Sequence, residues 1–414
     1  MRIFFSVGEP SGDLHGGNLI RELKRRDPQL ECVGYGGPKM AQAGCQIHED
    51  LTRLAVMWVW HAVLHLAKFL RLIWRAGRYF RTARPDAVVL IDYPGFNWWI
   101  ARLAARNRIP VFYYGPPQMW AWAGWRVGKM RRLVDHVLCK LPFEETWYRQ
   151  RGCHTCYVGH PYFDELERQQ LDANFLARRA TQRPMVTILP GSRTQEVTHN
   201  LRWLLKAAAI VQQRVPNVQF AIAAFRSHHA EMAAKMVKTT GLPIDVFVGR
   251  TGELIHLADC CMACSGSVSL ELLYHAKPAV ILYWISRLAY FVQGFFRKVK
   301  YITLVNLLAS DELYPADLRP YDPRQADADK VLMPEYLTCA DKSAEIAGHV
   351  VEWLTDRARW DARVAALQAL RARMCLSGAS QRAAEYILQQ LAGRAAARAV
   401  GPPHFRAVRV KYPA

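Results

Sequence analysis

Residues 87–97 read AVVLIDYPGFN, and this stretch decides the fold. Five apolar residues lead directly into Asp92, and the Pro-Gly pair that follows marks a turn. An apolar run of this length without polar alternation is typical of a strand buried on both faces, as in a parallel sheet covered by helices. Ligands of such sheets bind at the carboxyl ends of the strands, so Asp92 is predicted to stand at the functional edge.

Similar apolar runs recur along the chain, separated by segments long enough for helices. The predicted strands are Ile3–Val7, Cys32–Tyr35, Ala87–Ile91, Val111–Tyr114, Val137–Leu141, Val186–Leu189, Val218–Ala223, Ile244–Val248, Cys260–Ala263 and Ala279–Tyr283. This alternation predicts two α/β domains in tandem, each a doubly wound parallel sheet. The polar stretch Asp164–Arg183 suggests a boundary, which gives domains over 1–175 and 176–345, C-terminal helices over 346–392 and a basic tail over 393–414.

The composition favours a globular protein with anionic partners. The chain has 414 residues, 51% of them hydrophobic, which excludes disorder for most of its length. Its formal net charge is +20, so phosphates, nucleic acids and acidic lipid surfaces are the candidate partners. The first apolar stretch ends by Pro10 and is too short for a secretory signal, so we expect a cytoplasmic protein with reduced cysteines.

Two patterns have the spacing of metal sites, and for both a structural role is preferred. The C-x-x-C pairs at 153–156 and 261–264 could form a zinc quartet, but CCMAC over 260–264 reads as a buried strand. Asp327 and Asp329 form a D-x-D, but they lie in a Pro- and Asp-rich segment typical of a solvated loop. Neither a metal nor a cofactor is predicted.

Residues 54–79, LAVMWVWHAVLHLAKFLRLIWRAGRY, depart from the α/β pattern. Their apolar part is too short to span a bilayer, but apolar and basic side chains recur at helical spacing. Such a helix either lies in a membrane interface or packs on its own sheet with arginines at the rim, and the segment alone leaves both open. The residues of the predicted membrane patch are Trp58, Val59, Val63, Leu66, Lys68, Phe69, Leu70, Arg71, Ile73, Trp74 and Arg75.

Loops that follow strands of the first half carry candidate site residues. The loop SVGEPSGD, over 6–13, offers small residues and a helix N-terminus that suit a sugar hydroxyl or an anion, although Asp13 could simply cap the helix. Asp92 suits a general base or, as the alternative, a strand cap. The indole-rich loop over 115–122 walls a sugar or acyl-chain site or forms core. The candidates are Gly8, Glu9, Ser11, Gly12, Asp13, Asp92, Asn97, Gln118 and Trp120.

Two loops in the second half suit a nucleotide diphosphate. Gly191, Ser192 and Arg193 follow a strand and precede a helix, which is the arrangement of a phosphate clamp. Ser265, Gly266 and Ser267 follow another buried strand and offer a second phosphate-type turn. Glu271 lies one helical turn further on, where its carboxylate suits a ribose diol. The second half is therefore predicted to bind a nucleotide diphosphate.

Together these motifs resemble the lipid-A-disaccharide synthase family, which comprises inverting glycosyltransferases of the two-domain GT-B architecture. The matching motifs follow the family order and are SVGEPSGD (6–13), GGPKM (36–40), ID of IDYPGFN (91–97), PQMWAW (117–122), LPFE (141–144), VGHP (158–161), LPGSR (189–193), SGSVSLE (265–271) and VNLLA (305–309). The resemblance implies two Rossmann-like domains that face an interdomain cleft.

The resemblance also implies a reaction and a set of roles. The reaction is transfer of 2,3-diacylglucosamine from UDP-2,3-diacylglucosamine to 2,3-diacylglucosamine 1-phosphate, without a metal, which gives the β-1,6 disaccharide 1-phosphate and UDP. Asp92 becomes the candidate base for the acceptor 6-hydroxyl, and Glu9 a second acid linked to activity. Arg193 and Asn306 fall on positions associated with the diphosphate and donor, and Glu271 on the ribose contact.

Further expectations of the resemblance concern location and assembly. Family enzymes sit on the cytoplasmic face of the inner membrane, which favours the interfacial interpretation of 54–79. Their C-terminal helices pack back on the N-terminal domain and, in some members, are exchanged within a homodimer. Gly95 stands where some members have an acidic residue, so that role is not carried over.

Two rival functions share some of these features. A UDP-N-acetylglucosamine 2-epimerase would have the same architecture and nucleotide loops but needs no lipid-binding helix. A basic nucleic-acid-binding protein would explain the charge, yet the sequence contains no recognisable nucleic-acid-binding module, and no nucleic-acid partner is predicted.

Overall fold

A computed structural model describes residues 1–52, 66–180 and 182–400, which divide into two compact units. The first unit comprises Met1–Pro117, Arg126–Val158 and the chain from Gly378 on. The second comprises Gln118–Trp125 and Gly159–Ser377. The short segment Gln118–Trp125 thus belongs to the second unit, although residues of the first unit flank it on both sides in sequence.

The first unit is built on a parallel sheet with the strand order β3-β2-β1-β4-β5-β6-β7. Its strands are β1 (Arg2–Val7), β2 (Glu31–Gly36), β3 (Gln46–Asp50), β4 (Ala87–Ile91), β5 (Val111–Tyr114), β6 (His136–Cys139) and β7 (Thr155–Tyr157). With helices numbered along the whole chain, its helices are α1 (Pro10–Arg26), α2 (Pro38–Gln42), α3 (Leu66–Thr82), α4 (Pro94–Arg106), α6 (Val127–Leu133), α7 (Pro142–Arg149) and α18 (Ala379–Val400).

The second unit repeats this plan with the strand order β10-β9-β8-β11-β12-β13. Its strands are β8 (Met185–Leu189), β9 (Gln219–Ala224), β10 (Ile244–Val248), β11 (Cys260–Cys264), β12 (Ala279–Trp284) and β13 (Glu335–Thr338). Its helices are α5 (Met119–Trp122), α8 (Pro161–Arg168), α9 (Ala173–Arg179), α10 (Thr194–Arg214), α11 (Ser227–Lys238), α12 (Thr251–Leu257), α13 (Val268–Tyr274), α14 (Arg287–Phe296), α15 (Leu304–Ala309), α16 (Ser343–Thr355) and α17 (Arg357–Met374).

Burial of the central strands explains their apolar sequences. Every residue of β4 is buried, and so is every residue of β11, where the cysteines act as small apolar side chains. Leu23 of α1 and Ile387 of α18 belong to the same core cluster as Phe5 of β1. Removal of each such side chain from water contributes about 1.5–3 kcal/mol to the stability of the fold. This contribution explains why the central strands have apolar sequences.

The ten predicted strands are all present, which confirms two doubly wound parallel sheets. Three further strands were not predicted: β3, β7 and β13. Each lies at the edge of its sheet. An edge strand needs fewer apolar residues than a central strand. The strand β3, QIHED, is mainly polar, and β7 has only three residues, so neither leaves a clear apolar run in the sequence.

The C-terminal region differs from the prediction in two respects. Only α18 lies in the first unit, where it packs on α1, whereas α16 and α17 lie in the second. The helix α18 also continues to Val400, although a tail was predicted from Gly393. The segment over 393–400 is rich in Ala and Arg, and these strong helix formers extend a helix without apolar periodicity.

The first boundary between the two units lies at Val158–Gly159 rather than at 175–176, because α8 and α9 belong to the second unit. Exchange of C-terminal helices within a homodimer stays a prediction.

Each sheet has a switch point where the strand order reverses, between β1 and β4 in the first unit and between β8 and β11 in the second. Loops that leave the carboxyl ends of such strands diverge and form the crevice in which ligands of doubly wound sheets bind. The loops singled out from the sequence, after 7, 91, 189 and 264, are the loops at these two points.

Candidate active site

Asp92 directly follows β4 and lies at the switch point of the first unit. The backbone φ angle is 47° at Asp92 and 44° at Tyr93, so two consecutive residues that are not glycine adopt the left-handed region. Such conformations are uncommon outside glycine, and they cluster at functional sites, where the surrounding structure enforces them. This geometry favours a functional role for Asp92 over that of a simple strand cap.

Buried side chains hold the turn at Asp92 in place. Asn97 donates from Nδ2 to the carbonyl oxygen of Asp92 at 2.8 Å, and the Tyr113 hydroxyl donates to the same oxygen at 2.7 Å. The hydroxyl of Ser6 donates to Oδ1 of Asn97 at 2.7 Å and so fixes the orientation of the amide. Asn97 is completely buried. Asn97 therefore supports the Asp92 turn, and its predicted contact with a substrate stays a prediction.

Lys140 is the cation beside the Asp92 carboxylate. Its Nζ lies 3.5 Å from Oδ1 of Asp92, and it follows β6 at the same edge of the sheet. Burial would lower the pKa of Lys140, but the carboxylates of Asp92 and Glu144 outweigh that effect and raise its pKa overall. Lys140 is therefore a permanent positive charge at the site at neutral pH.

The SVGEPSGD loop lies against the Asp92 turn. A Cβ atom added at Gly8 would lie 2.3 Å from Cδ1 of Tyr93, and one added at Gly12 would lie 3.4 Å from Oδ2 of Asp92. Glycine at both positions allows the first turn of α1 to approach the carboxylate. Glu9 is half-buried immediately before α1, and Ser11 is exposed in its first turn.

Asp13 has a structural partner that the sequence did not predict. Its carboxylate accepts hydrogen bonds from the backbone amides of Gly37 at 2.9 Å, Lys39 at 2.9 Å and Met40 at 3.1 Å. Asp13 therefore caps the following helix, α2, rather than its own helix, and it is buried. The carboxylate therefore has a structural role in the fold, and a substrate contact of Asp13 stays a prediction.

The second unit has a pocket of about 590 Å³ at its switch point, which we call the nucleotide pocket. Seven of the predicted residues line it, and they are Gly191, Ser192, Arg193, Ser265, Gly266, Ser267 and Glu271. Gly191 has a φ angle of 119°, and a Cβ there would lie 2.6 Å from Cβ of Glu196, so this turn requires glycine. The structure thus brings together the two phosphate-type loops and the acidic residue.

Arg193 is held less firmly than a phosphate clamp predicts. Its side chain is 78% exposed, and Nη1 lies 2.9 Å from Oε1 of Glu196. The other carboxylate oxygen, Oε2, accepts the backbone amides of Ser192 at 2.9 Å and Arg193 at 3.1 Å. Glu196 therefore engages two amides that were expected to face a phosphate, and the role of Arg193 as a phosphate ligand stays a prediction.

Glu271 is paired within the nucleotide pocket. The hydroxyl of Tyr162 donates to Oε2 of Glu271 at 2.7 Å, and both residues line the pocket. Burial raises the pKa of Glu271, and the hydrogen bond from Tyr162 offsets part of that rise. The carboxylate has further lone pairs with which to accept hydrogen bonds from a ligand.

The remaining predicted residues of the second unit lie outside the nucleotide pocket. Asn306 is buried, and its amide donates to the carbonyl of Met333 at 2.7 Å and to Oε2 of Glu335 at 2.9 Å, which makes it a structural residue in this state. Gln118 and Trp120 line a second cavity of about 650 Å³. We call it the tryptophan cavity, and its lining includes Trp120, Trp122, Trp125, Phe296, Val299, Leu304 and Leu307.

Three site residues were not predicted. Lys140 was missed although it stands at a strand end, because the chemistry of a lone lysine has no local signature. Tyr162 directly follows the motif VGHP and was not considered beyond it. Phe225 lines the nucleotide pocket after β9, is 59% exposed, and has the flat apolar face that suits stacking on a nucleobase. Each of the three residues directly follows a strand or a motif, and this position is the sequence feature that could have indicated a site residue.

Helix α3, which contains the described part of the 54–79 segment, has a buried face and an exposed apolar face. Leu72, Ala76 and Phe80 are buried against the sheet, and Phe69 packs on Phe96 with ring centroids 5.7 Å apart. Ile73 is also half-buried. The opposite face carries an exposed apolar stripe of Leu66, Leu70 and Trp74, which are 55%, 57% and 59% exposed. The basic residues are Lys68, Arg71 and Arg75, while Trp58, Val59 and Val63 lie outside the described residues.

The described residues contain no group of three His, Cys, Asp or Glu side chains suited to a metal ion. Asp327 pairs with Lys300 at 3.0 Å, and Asp329 lies 3.8 Å from Arg359. Within the same ranges, no helix has both the length and the apolar character needed to cross a bilayer.

Two Rossmann-like α/β units, each with a candidate site at the switch point of its sheet, define the GT-B fold. Solved structures show the same fold: a UDP-GlcNAc 2-epimerase from Neisseria meningitidis matches with a TM-score of 0.58 at 9% identity, over 95% of this chain and 100% of the other. A calicheamicin glycosyltransferase matches with a TM-score of 0.53 at 15% identity, over 95% and 99%.

Sequence comparison then identifies the family. The model of the lipid-A-disaccharide synthetase family matches residues 3–347, and the chain belongs to this family. A lipid-A-disaccharide synthase of Geobacter sulfurreducens is 31% identical over 94% of this chain and 97% of its own length. One of Trichlorobacter lovleyi is 35% identical over 75% of this chain and 82% of its own. The chain is accordingly a glycosyltransferase of lipid A biosynthesis.

Proposed function

We propose that the chain transfers 2,3-diacylglucosamine from UDP-2,3-diacylglucosamine to 2,3-diacylglucosamine 1-phosphate, with inversion and without a metal. The products are the β-1,6-linked disaccharide 1-phosphate and UDP. The observation that carries this proposal is the family match over residues 3–347, which includes strands of both sheets and every predicted catalytic residue. The nucleotide pocket supports the choice of a nucleoside diphosphate donor.

The chemistry is a single displacement at the anomeric carbon of the donor sugar. Asp92 takes the proton from the acceptor 6-hydroxyl while that oxygen forms its bond to the anomeric carbon. The bond from this carbon to the β-phosphate oxygen breaks, and its electron pair leaves with UDP. Arg193 stabilises the charge that develops on the diphosphate. Attack from the face opposite the leaving group inverts the configuration.

Lys140 and Glu9 have supporting roles in this scheme. The ammonium group of Lys140 lies 3.5 Å from Oδ1 of Asp92, where it suits an ion pair that orients this carboxylate. Glu9 lies at the start of α1, whose first turn contacts Asp92, so it suits a hydrogen bond to a sugar hydroxyl. In the nucleotide pocket, Glu271 accepts hydrogen bonds from the ribose and Phe225 stacks on the base.

The enzyme acts at the surface of the inner membrane, on its cytoplasmic face, according to this proposal. The apolar stripe of α3 together with its basic residues has the composition of an interfacial helix. Both substrates are amphiphilic anions, and a basic surface with exposed apolar side chains suits them. Binding to vesicles that contain anionic lipid tests this part, with the double variant Leu70→Ser/Trp74→Ser expected to bind about tenfold more weakly or worse. Equal binding by both proteins contradicts it.

The decisive experiment is a transfer assay with radiolabelled UDP-2,3-diacylglucosamine and the monosaccharide 1-phosphate. We expect a labelled disaccharide 1-phosphate with a β linkage, equimolar UDP, and rates unchanged by a chelator. A chelator-sensitive rate contradicts metal independence, and absence of product with both substrates present overturns the proposed reaction. Incubation with UDP-N-acetylglucosamine alone tests the epimerase alternative, for which we expect no product.

A further inference from the structure

The tryptophan cavity is built for an apolar ligand of substantial size. Its volume of about 650 Å³ lies within the range of about 300–1,000 Å³ that is typical of small-molecule sites. Trp120, Trp122 and Trp125 supply indole rings to the lining. They come from Gln118–Trp125, the segment of the second unit that lies within the sequence of the first. Phe296 and Leu307 add apolar surface from the region after β12.

Hydrogen bonds within the protein fix the walls of the cavity. The Lys298 amide donates to the carbonyl of Ala121 at 2.9 Å, and the Tyr314 hydroxyl donates to the carbonyl of Trp120 at 3.1 Å. Buried Glu335 accepts the amides of Ile302 at 2.7 Å and Thr303 at 3.0 Å. A preformed cavity spares a ligand the entropic penalty of ordering its walls.

The charged residue of the cavity lining, Arg297, already makes hydrogen bonds to the protein backbone. Arg297 donates to the carbonyl oxygens of Lys300 at 3.3 Å and Leu318 at 2.5 Å. Burial lowers its pKa, as expected for a cation packed among apolar groups. The site therefore suits a hydrocarbon chain better than a phosphate or carboxylate.

The tryptophan cavity adjoins the nucleotide pocket. Gly266 and Ser267 line both, and the neighbouring Ser265 donates from its hydroxyl to the carbonyl of Ile302 at 3.4 Å, which connects the two linings. A ligand with its diphosphate in the nucleotide pocket can therefore extend an apolar portion past this turn into the cavity.

The rim of the cavity carries apolar surface as well. None of the ten residues of α14 is buried, and its large side chains include Leu288 at 73%, Phe291 at 66% and Phe295 at 69% exposure. Phe296, at the end of this helix, lines the cavity. Exposed apolar surface of this kind marks a site that contacts lipid or another apolar partner.

We propose that the tryptophan cavity binds an acyl chain of the UDP-linked donor. This inference rests on the proposed function, because it takes the donor to be an acylated sugar nucleotide. It assigns the donor chain, rather than the acceptor chain, to the second unit, and it makes the indole loop and the end of α14 determinants of chain-length preference.

The test compares the binding of two donors by calorimetry at a fixed detergent concentration. One donor is UDP-2,3-diacylglucosamine with long chains, and the other has both chains shortened to acetyl groups; UDP alone is the reference. Each buried methylene is worth about a fourfold gain in affinity, so the native protein should prefer the long-chain donor by about 100-fold or more. Equal affinity for the two donors would overturn the proposal.

Variants of the lining then test whether the tryptophan cavity is the source of the preference for the long-chain donor. Trp122→Ala/Phe296→Ala changes two exposed residues of the lining, and we expect it to reduce the preference by about tenfold while the affinity for UDP stays unchanged. Leu304→Trp, which fills the cavity, should reduce the preference in the same way. Val248→Ala, at the exposed end of β10 and outside both linings, is the matched control and should keep the native preference. A native preference in both cavity variants contradicts the assignment.

Binding and transfer give separable results. If the chain-length preference depends on the cavity but the transfer assay yields no disaccharide, the cavity assignment stands and the proposed reaction fails. If transfer proceeds and the preference does not depend on the cavity, the reaction stands and the assignment fails.

Discussion

The turn at Asp92 and the turn at Arg193 both lie at the switch point of their sheet, the first after β4 and the second after β8, yet they are built in opposite ways. The Asp92 turn is a strained left-handed corner held by buried hydrogen bonds from Asn97 and Tyr113. Arg193 instead has a largely exposed side chain whose ion-pair partner, Glu196, is one turn along its own helix.

The difference matches the two tasks that we propose. A general base must lie within hydrogen-bond distance of one particular proton, so its carboxylate benefits from a rigid support. A guanidinium that stabilises a diphosphate acts through charge and can be ordered when the substrate binds. Buried support is thus found where the position of a single atom matters, and an exposed side chain where the charge of a group matters.

Asp92→Asn should give the largest effect and tests the rigid side of the comparison. Loss of the base is expected to reduce kcat about 10³-fold. Asn tolerates the left-handed region as well as Asp does, so the fold should be retained and the thermal unfolding midpoint unchanged. Steady-state transfer rates and thermal unfolding measure the two quantities. Asp361→Asn, an exposed carboxylate on α17, is the control, and a near-native rate in the Asp92 variant would remove it from the mechanism.

Arg193→Ala tests the exposed side of the comparison and should lower kcat/KM by about 100-fold through loss of charge stabilisation on the diphosphate. Arg193→Lys should recover part of that loss, because a lysine keeps the charge but not the paired donors of a guanidinium. The control is Arg319→Ala, an exposed arginine in the polar loop before β13. If the Lys variant were no better than the Ala variant, the role of Arg193 would be geometric rather than electrostatic.

Asn97→Ala separates positioning from substrate contact. Without the amide, the Asp92 turn loses a buried hydrogen bond, which should lower the free energy of unfolding by about 1–3 kcal/mol. We expect kcat to fall about tenfold with little change in KM, because the base is displaced while substrate contacts remain. Kinetics and denaturant unfolding provide the two readouts. A higher KM at an unchanged kcat would instead indicate that Asn97 contacts the substrate.

Glu271→Gln should have the smallest effect on transfer, namely an affinity for UDP lowered by about tenfold if the carboxylate binds the ribose. The variant also changes the pH dependence of stability. The raised pKa of Glu271 means that the folded state keeps its proton to higher pH than the unfolded state does. The native free energy of unfolding therefore falls as pH rises above the ordinary value of 4.5, and the Gln variant lacks this loss. Parallel pH profiles of unfolding for the two proteins would contradict this assignment.

The central strands were predictable because burial on both faces leaves a strong apolar signal, whereas β3, β7 and β13 lie at edges and lack it. The site loops were predictable for a related reason: the topology fixes where strand ends meet. What the sequence did not reveal is which polar groups the protein itself uses. Asp13, Asn97 and Asn306 have the chemistry of ligand-binding residues, but each makes hydrogen bonds to other groups of the protein, several of them far away in sequence.

Contacts between residues far apart in sequence also explain why Lys140 and Tyr162 were not predicted. The partner of Lys140 is Asp92, from another strand, and the partner of Tyr162 is Glu271, far along the chain. No spacing rule links such pairs, because the contact depends on the strand order of the sheets. Predictions from sequence therefore locate the loops of this site more reliably than the roles of individual side chains within them.

The interleaved connectivity has a practical consequence for dissecting the molecule. A fragment over 159–377 would contain the nucleotide pocket but not the indole side chains, which precede it in sequence. Such a truncation should retain recognition of UDP and lose discrimination between fatty chains. The polypeptide is thus not a tandem of separable modules, and insertions or fusions between its halves must respect a segment that crosses from one to the other and back.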